Sequence, residues 1–334
     1  MLNMNAGNTI LVTGATGFVG RQVVRELARS GHRVRVLVRN SGNVAGFVRE
    51  NDAEVAEGNI LDTASLQRAC QGVVAVVHLV GIIREKGKQT YARVHVEGTR
   101  NVLAAAQANG VTRLLHMSAA GTRPMAPSRY HQTKWEAEEL VRSSGLKWTI
   151  LRPSLIYGVG DHFASILVQL MRPPLNFLTA GFLPGLGDEQ TSLQPVSVQS
   201  VARAFQSALA NPLAIGKTYE LAGEELSLRE MILIIAGALG LRPKVVEAQF
   251  PGSLAVALWY RLAGYRPVIV SLPMPLIKVA AGLMEVLSTL SPVNLDQILM
   301  LEENQQADST TAREDLGFNP EKFSKAVRAA LVKN

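Results

Sequence analysis

A short apolar run, Thr9 to Thr13, ends in glycines three positions apart, Gly14, Gly17 and Gly20, and an amphipathic segment follows at once (Val19, Val23, Val24, Leu27). A strand that passes directly into a helix must turn sharply, and each glycine answers one steric demand. Gly14 allows the turn off the strand, Gly17 lets backbone approach a pyrophosphate, and Gly20 lets the helix pack closely on the sheet. The N-terminus of such a helix offers unpaired N–H groups and the positive end of its dipole to phosphates. The stretch therefore predicts a dinucleotide site, with Thr16, Phe18 and Val19 among its contacts.

The next strand bears on the cofactor. His32 to Asn40 alternates polar and apolar residues up to Arg39, where the strand should end. An acidic residue there would accept a hydrogen bond from a ribose 2′-OH, as NAD requires, whereas an arginine pairs with a 2′-phosphate. NADP(H) is the preferred expectation and NAD(H) the second; a solvated strand-end arginine is the competing reading. Glu54 to Asn59 reads as a short strand ending where an adenine ring would lie, with Asn59 and Ile60 beside it. Ala64 to Cys70 reads as a helix capped by Thr63.

Val73 to Val80 is a continuous apolar run, the mark of a parallel strand covered on both faces, and Val80 and Gly81 at its end are expected to line the cofactor. A helix from Tyr91 to Ala108 closed by Asn109-Gly110, a strand Arg113–Ser118, a helix Arg129–Ser143 and a strand Trp148–Pro153 continue the alternation. The pattern predicts an α/β fold: a doubly wound parallel Rossmann-type sheet with a smaller C-terminal substrate lobe. Alternation is lost beyond Tyr157-Gly158, where Pro173-Pro174 and Gly181 to Gly187 thicken the chain with turn residues. The expected division is residues 1–157 for nucleotide binding, with 193–212 returning to it, and 158–192 plus 213–334 for the lobe and tail. Val196 to Leu209 reads as a helix, Thr218 to Ala222 as a strand, and Lys322 to Val332 as a last helix.

Chemistry enters at Tyr130 and Lys134, four residues apart and so on one face of their helix. A phenol with a reference pKa near 10 needs roughly 4 kcal/mol of help to act as a base near neutrality. A neighbouring ammonium and a cationic nicotinamide supply that positive potential. The glycine loop, this pair, and Arg152-Pro153-Ser154-Leu155-Ile156-Tyr157-Gly158 after the sixth strand together resemble the short-chain dehydrogenase/reductase superfamily, in its extended or atypical branch. More narrowly, Val94 to Asn101, Tyr130 to Glu136, Gln194 to Val198 and Tyr219 to Gly223 resemble bacterial relatives of the nucleotide-binding accessory subunit of mitochondrial complex I.

The resemblance implies that Tyr130 is the general acid/base, that Lys134 anchors the nicotinamide ribose and lowers the tyrosine pKa, that Ser118 orients the substrate oxygen, and that backbone after Pro153 lines the nicotinamide. Two positions depart from the pattern. Relatives often carry a second hydroxyl residue where this chain has Ala119, and many carry asparagine where it has His95. Two functions follow. One is an oxidoreductase or epimerase acting on an apolar carbonyl or alcohol; the other is a non-catalytic NADP(H)-binding accessory or assembly protein in contact with a respiratory complex.

Composition limits the alternatives. The 334 residues carry a formal charge of +7, yet no lysine- or arginine-rich block appears, so no nucleic-acid partner is expected. Cys70 is the single cysteine and the six histidines are scattered, which predicts no disulfide framework and no metal centre. Asp161-His162 and Asp188-Glu189 read as solvated loop charges, and Ser118 with His131 lacks the G-x-S-x-G elbow of a hydrolase. Met1 to Asn8 has no signal-peptide pattern, and the greasiest stretch, Val268 to Leu290, is broken by Pro273, Pro275 and Lys278. A cytoplasmic protein is expected. Ser253 to Leu262 ends in aromatics and arginine, so attachment to the inner face of a membrane competes with a helix packed in the lobe, where Trp259 and Tyr260 would be core.

Overall fold

The structure, a computed structural model, describes residues 8–161, 167–168, 171, 182–186, 192–247, 253–264, 268–272 and 306–332. The chain divides into two compact units: Met1–Ser154, Val198–Ala222 and Ala307–Asn319 form the first, and Leu155–Ser197, Gly223–Gln306 and Pro320–Asn334 the second.

The first unit is built on β1 (Thr9–Thr13), α1 (Phe18–Arg29), β2 (Arg33–Val38), α2 (Ala45–Glu50), β3 (Glu54–Glu57), α3 (Thr63–Cys70), β4 (Ala75–His78), α4 (Gly98–Ala108), β5 (Arg113–Met117), α5 (Arg129–Arg142), β6 (Lys147–Pro153), α6 (Val198–Ala210), β7 (Lys217–Leu221) and α7 (Thr310–Leu316). The seven strands form one parallel sheet in the order β7-β6-β5-β4-β1-β2-β3. Strand order reverses between β1 and β4, with Thr13 opposite His78, so the crevice beyond their C-terminal ends is the place where such a sheet receives a ligand. Helices α1 and α6 pack together, as do α3, α4 and α5. Leu11, Leu37, Val76, Leu114 and Ile150 from the strands and Leu66, Val102 and Val141 from α3, α4 and α5 form one buried core. Cover on both faces explains why β4 is apolar up to its last residue, His78.

Local signals set the helix ends. Asp62, not Thr63, caps α3: its carboxylate accepts from the Ala64 and Ser65 N–H groups at 3.1 and 3.4 Å. Thr63 is the first helical residue instead. Ser128 caps α5 by accepting from the His131 N–H. The long helix expected from Tyr91 is interrupted in kind: Ala92–Glu97 is a π-helical turn and α4 begins at Gly98.

The expected division of the chain needs correcting at its C-terminal side. The 217–221 strand, expected in the lobe, is the edge of the main sheet, paired in parallel with β6. The tail segment around α7 is tied to it, for Lys217 and the Tyr219 hydroxyl both donate to the Asp315 carboxylate, at 2.6 and 2.7 Å.

In the second unit, Ile156–Tyr157 pairs with Val196–Ser197, which are therefore strand rather than the start of a helix. Ser192–Leu193 pairs antiparallel with Leu226–Ser227, and Lys244–Glu247, Val268–Leu272 and Phe182–Leu186 form a parallel sheet in that order. The helix Leu228–Ala238 is opened by a capping box between Ser227 and Glu230. Its Met231, Ile232 and Ile235 pack with Tyr157, Phe323 and Val327. Asp161 is a buried turn residue, accepting from the Gly158 N–H at 2.9 Å, and not a solvated charge; His162, Asp188 and Glu189 lie outside the described residues. Nor does Trp259 belong to a core. On the helix Ser253–Leu262, Leu258, Trp259 and Leu262 are 52%, 62% and 79% exposed. Among the described residues no helix is long and apolar enough to cross a membrane.

Candidate functional site

At the end of β1 the chain turns through Gly14 at φ +74°, and the Gly17 N–H donates back to the Gly14 carbonyl at 3.0 Å. A Cβ on Gly14 would stand 3.1 Å from the Leu79 and Val80 backbone, and one on Gly20 would run into the Gly14 carbonyl oxygen. At Gly17 a Cβ would meet only the Gly14 oxygen, at 3.2 Å, so its outer side is open. Helix α1 starts here with no side chain capping it. Its first N–H groups are thus left for an external anion, and Gly14, Thr16, Gly17, Phe18, Val19 and Gly20 form a cradle that fits a pyrophosphate.

Further along the same sheet edge lie the ends of β2 and β3. Arg39 is exposed directly after β2. Asn40 accepts from the Gly42 N–H at 2.8 Å, shaping the turn that follows, and Glu57 at the end of β3 accepts from the Ser41 N–H at 3.0 Å. The Ser41 hydroxyl and then its N–H hold the Glu57 carboxyl below the ordinary carboxylate range. Asn59 bonds the Leu61 N–H through its side chain, and the buried Ile60 gives its carbonyl to Asn101.

A chain of buried hydrogen bonds starts at the last residue of β1. Thr13 Oγ1 is 2.7 Å from His78 Nδ1, His78 Nε2 is 3.1 Å from Thr99 Oγ1, and Thr99 Oγ1 donates to the His95 carbonyl at 2.5 Å. The proton of Thr99 is committed to that carbonyl, so its oxygen accepts from His78 Nε2–H, and His78 Nδ1 accepts from Thr13. His95 follows the same logic. Thr133 Oγ1 donates to the carbonyls of Arg129 and Tyr130, both at 3.0 Å, and accepts from His95 Nδ1–H at 2.9 Å. His95 Nε2 lies 3.1 Å from both the Ile82 N–H and the Ile82 carbonyl oxygen. Burial first, and then the charge of Lys134, push the His78 pKa down to about 3 and that of His95 well below its ordinary value. Burial favours the neutral form of both rings.

Helix α5 presents the expected pair. Lys134 is only 3% exposed and donates to the Met117 carbonyl at 2.6 Å. Burial lowers its pKa to about 8, against the opposing pull of Glu138. Glu138, one turn on, is fully buried and accepts from Arg152 Nε and Nη2 at 2.8 and 2.6 Å, which ties α5 to β6. Tyr130 is half-buried, its ring edge-on to His95 at 5.4 Å and to Tyr91 at 5.9 Å. Tyr91 donates its hydroxyl to the Ile83 carbonyl and its N–H to Glu85, so it holds the loop after β4 together with His95. At Gly81 in that loop, a Cβ would lie 3.6 Å from His95 Nε2 and 4.0 Å from Lys134 Nζ. Val80, Gly81, His95 and the Tyr130–Lys134 turn thus converge.

The hydroxyl helpers are arranged otherwise. Ser118 is buried, its N–H donates to the Leu151 carbonyl, and its hydroxyl donates to Thr122 Oγ1 at 3.4 Å. Ala119 follows with no hydroxyl, and Ala120 bonds the carbonyl of Pro153, which is buried at the end of β6. A half-buried phenol one helical turn from a buried ammonium can pass a proton to an oxygen placed before it. Sequence reasoning missed Thr13, His78, Tyr91, Thr99 and Thr133. The available signal was a polar residue, His78, inside the apolar run Val73 to Val80.

Residues 14–162 match the family model described as NAD(P)H-binding. A ceramide reductase of Caulobacter vibrioides is 32% identical over 253 residues, which are 75% of this chain and 76% of that protein. Subunit 9 of the mitochondrial NADH dehydrogenase (ubiquinone) 1 alpha subcomplex of Arabidopsis thaliana is 30% identical over 75% of this chain and 63% of its own length. The crystal structure of a nucleoside-diphosphate-sugar epimerase from Staphylococcus aureus superposes with a TM-score of 0.72 over 96% of this chain and 99% of that one, at 18% identity, a likeness of fold.

Proposed function

Because the chain belongs to the NAD(P)-binding short-chain dehydrogenase/reductase superfamily, in its extended or atypical branch, we propose that it is an oxidoreductase acting between NADP(H) and an apolar carbonyl or alcohol. The observation that carries the proposal is the turn of α5 bearing Tyr130 and Lys134, which meets the loop after β4 at Gly81. Bound NADP(H) supplies or accepts the hydride. The loop Gly14–Gly20 would hold the pyrophosphate, Arg39 the 2′-phosphate, Asn59 and Ile60 the adenine, and the backbone of Val80, Gly81 and Pro153 the nicotinamide. In the reducing direction Tyr130 gives its phenolic proton to the carbonyl oxygen as the substrate carbon gains hydride, so that alcohol and phenolate form together. The Lys134 ammonium, one turn away, favours that phenolate. Ser118, its hydroxyl turned to Thr122, would act by shaping the loop before Pro153.

An apolar substrate is supported by the ceramide reductase relative, an enzyme named for a lipid. Contact with an anionic bilayer fits the same reading. The exposed residues Leu258, Trp259 and Leu262 lie in a stretch, residues 248–284, that carries three cations (Arg261, Arg266, Lys278) and no acid.

A second reading, an NADP(H)-binding accessory protein without turnover, is favoured by Ala119, where the substrate-orienting hydroxyl is missing. Single-turnover oxidation of protein-bound NADPH in the presence of long-chain ketones and ceramide precursors separates the two. Oxidation is expected in the wild type and should fall at least a hundredfold in Tyr130→Phe with NADPH affinity unchanged. Tight NADPH binding with no oxidation by either protein would select the accessory role.

A further inference from the structure

The sequence offers a single cation, Arg39, at the ribose end of the cofactor site, but the fold brings an anion to the same place. Glu57 closes β3 and sits opposite Val38 in the parallel register, so it lies one strand spacing from the residue that precedes Arg39. Its carboxylate accepts from the Ser41 N–H at 3.0 Å and engages the Ser41 hydroxyl as well. Ser41 is two residues beyond Arg39. A cation followed by an N–H and a hydroxyl in one short turn is a set of donors suited to a phosphate, and here a carboxylate of the chain itself takes the two neutral ones.

We propose that Glu57 selects the cofactor: by occupying the Ser41 donors it competes with the 2′-phosphate of NADP(H), while its carboxylate can also accept the ribose 2′-OH of NAD(H), so that the site admits both. This rests on the reading that the β2–β3 end receives the adenosine ribose. Two anions cannot share the Ser41 donors. Entry of a 2′-phosphate therefore requires the Glu57 side chain to swing out, leaving Arg39 and Ser41 to the phosphate. A 2′-hydroxyl makes no such demand, because it donates to a carboxylate already in place. Arg39 attracts the phosphate and Glu57 repels it, and the preference of the wild type is the difference between the two.

The test needs no turnover. Wild type, Glu57→Gln and Arg39→Gln are titrated by calorimetry with 2′,5′-ADP and with 5′-ADP, the adenosine halves of the two cofactors, and then with NADPH and NADH. Glutamine keeps an oxygen for the Ser41 N–H, so the turn is retained while the charge goes. Glu57→Gln should bind 2′,5′-ADP and NADPH about tenfold more tightly at low salt, and bind 5′-ADP and NADH no better than the wild type does. Raising the ionic strength should shrink the gain. Arg39→Gln should weaken only the 2′-phosphorylated ligands. A Glu57→Gln protein that binds all four ligands as the wild type does, or shifts all four equally, overturns the proposal. Wild-type protein that binds neither cofactor overturns the underlying reading of the site, an outcome recognisable because no variant then shows discrimination.

Discussion

Lys134 is 3% exposed, and burial lowers its pKa from 10.5 to about 8. Below pH 8 the lysine is charged in folded and unfolded chains alike, and the folded one bears a net penalty of about 3 kcal/mol, burial outweighing the pull of Glu138. Between pH 8 and 10.5 the folded state has released the proton that the unfolded state still holds, so this contribution to stability rises with pH across that window. Lys134→Met should therefore stabilise the ligand-free protein by about 1–2 kcal/mol at pH 7, the lost bond to the Met117 carbonyl offsetting the rest. Its stability should no longer climb above pH 8. Urea unfolding at pH 7 and 10 measures both, and a less stable variant at pH 7 contradicts the account. Residues of this kind were legible in the sequence where the relation is local: three glycines in one turn, or a phenol and an ammonium on one helix face. The Thr13–His78–Thr99 and His95–Thr133 bonds were not, because their partners are 65, 21 and 38 positions apart and only the folded sheet brings them together.

At the level of elements, the join between β1 and α1 tolerates the least change. Gly20→Ala would place a methyl group against the Gly14 carbonyl and 2.8 Å from Ala15 Cα, both backbone positions that cannot move aside. The expected cost is about 3 kcal/mol. Gly46→Ala in α2 meets nothing within 4 Å and should be neutral or stabilise by up to about 1 kcal/mol. Equal urea midpoints for the two variants would refute the tight helix–loop packing. The strands of the main sheet were readable to within a residue or two from their apolar runs. The Ser227–Glu230 capping box is equally readable, a serine three residues before a glutamate ahead of an apolar stretch. The two-residue strands Ile156–Tyr157 and Val196–Ser197 could not be read, since they exist only through each other. The π-helical turn Ala92–Glu97 has no local signature either, although turns of this kind gather at functional sites and this one carries His95.

The whole molecule carries the exposed Leu258, Trp259 and Leu262 together with its basic, acid-free stretch. It should sediment with phosphatidylglycerol-containing vesicles and much less with pure phosphatidylcholine. The double variant Trp259→Ser, Leu262→Asp should reduce that partition at least fivefold without altering NADPH binding; equal partition of the variant and the wild type would dismiss the surface. Domain organisation was the least legible property of the sequence. The change in composition after Tyr157 marked where the second unit begins, but nothing local shows that Lys217–Leu221 returns as the sheet edge or that Asp315 ties the tail to it. The backbone passes between the two units five times, after Ser154, Ser197, Ala222, Gln306 and Asn319. No single cut releases either one. A fragment ending at Ser154 lacks β7 and leaves the β6 edge bare, an invitation to aggregate. Genetic recombination with one junction therefore cannot exchange the second unit as a cassette.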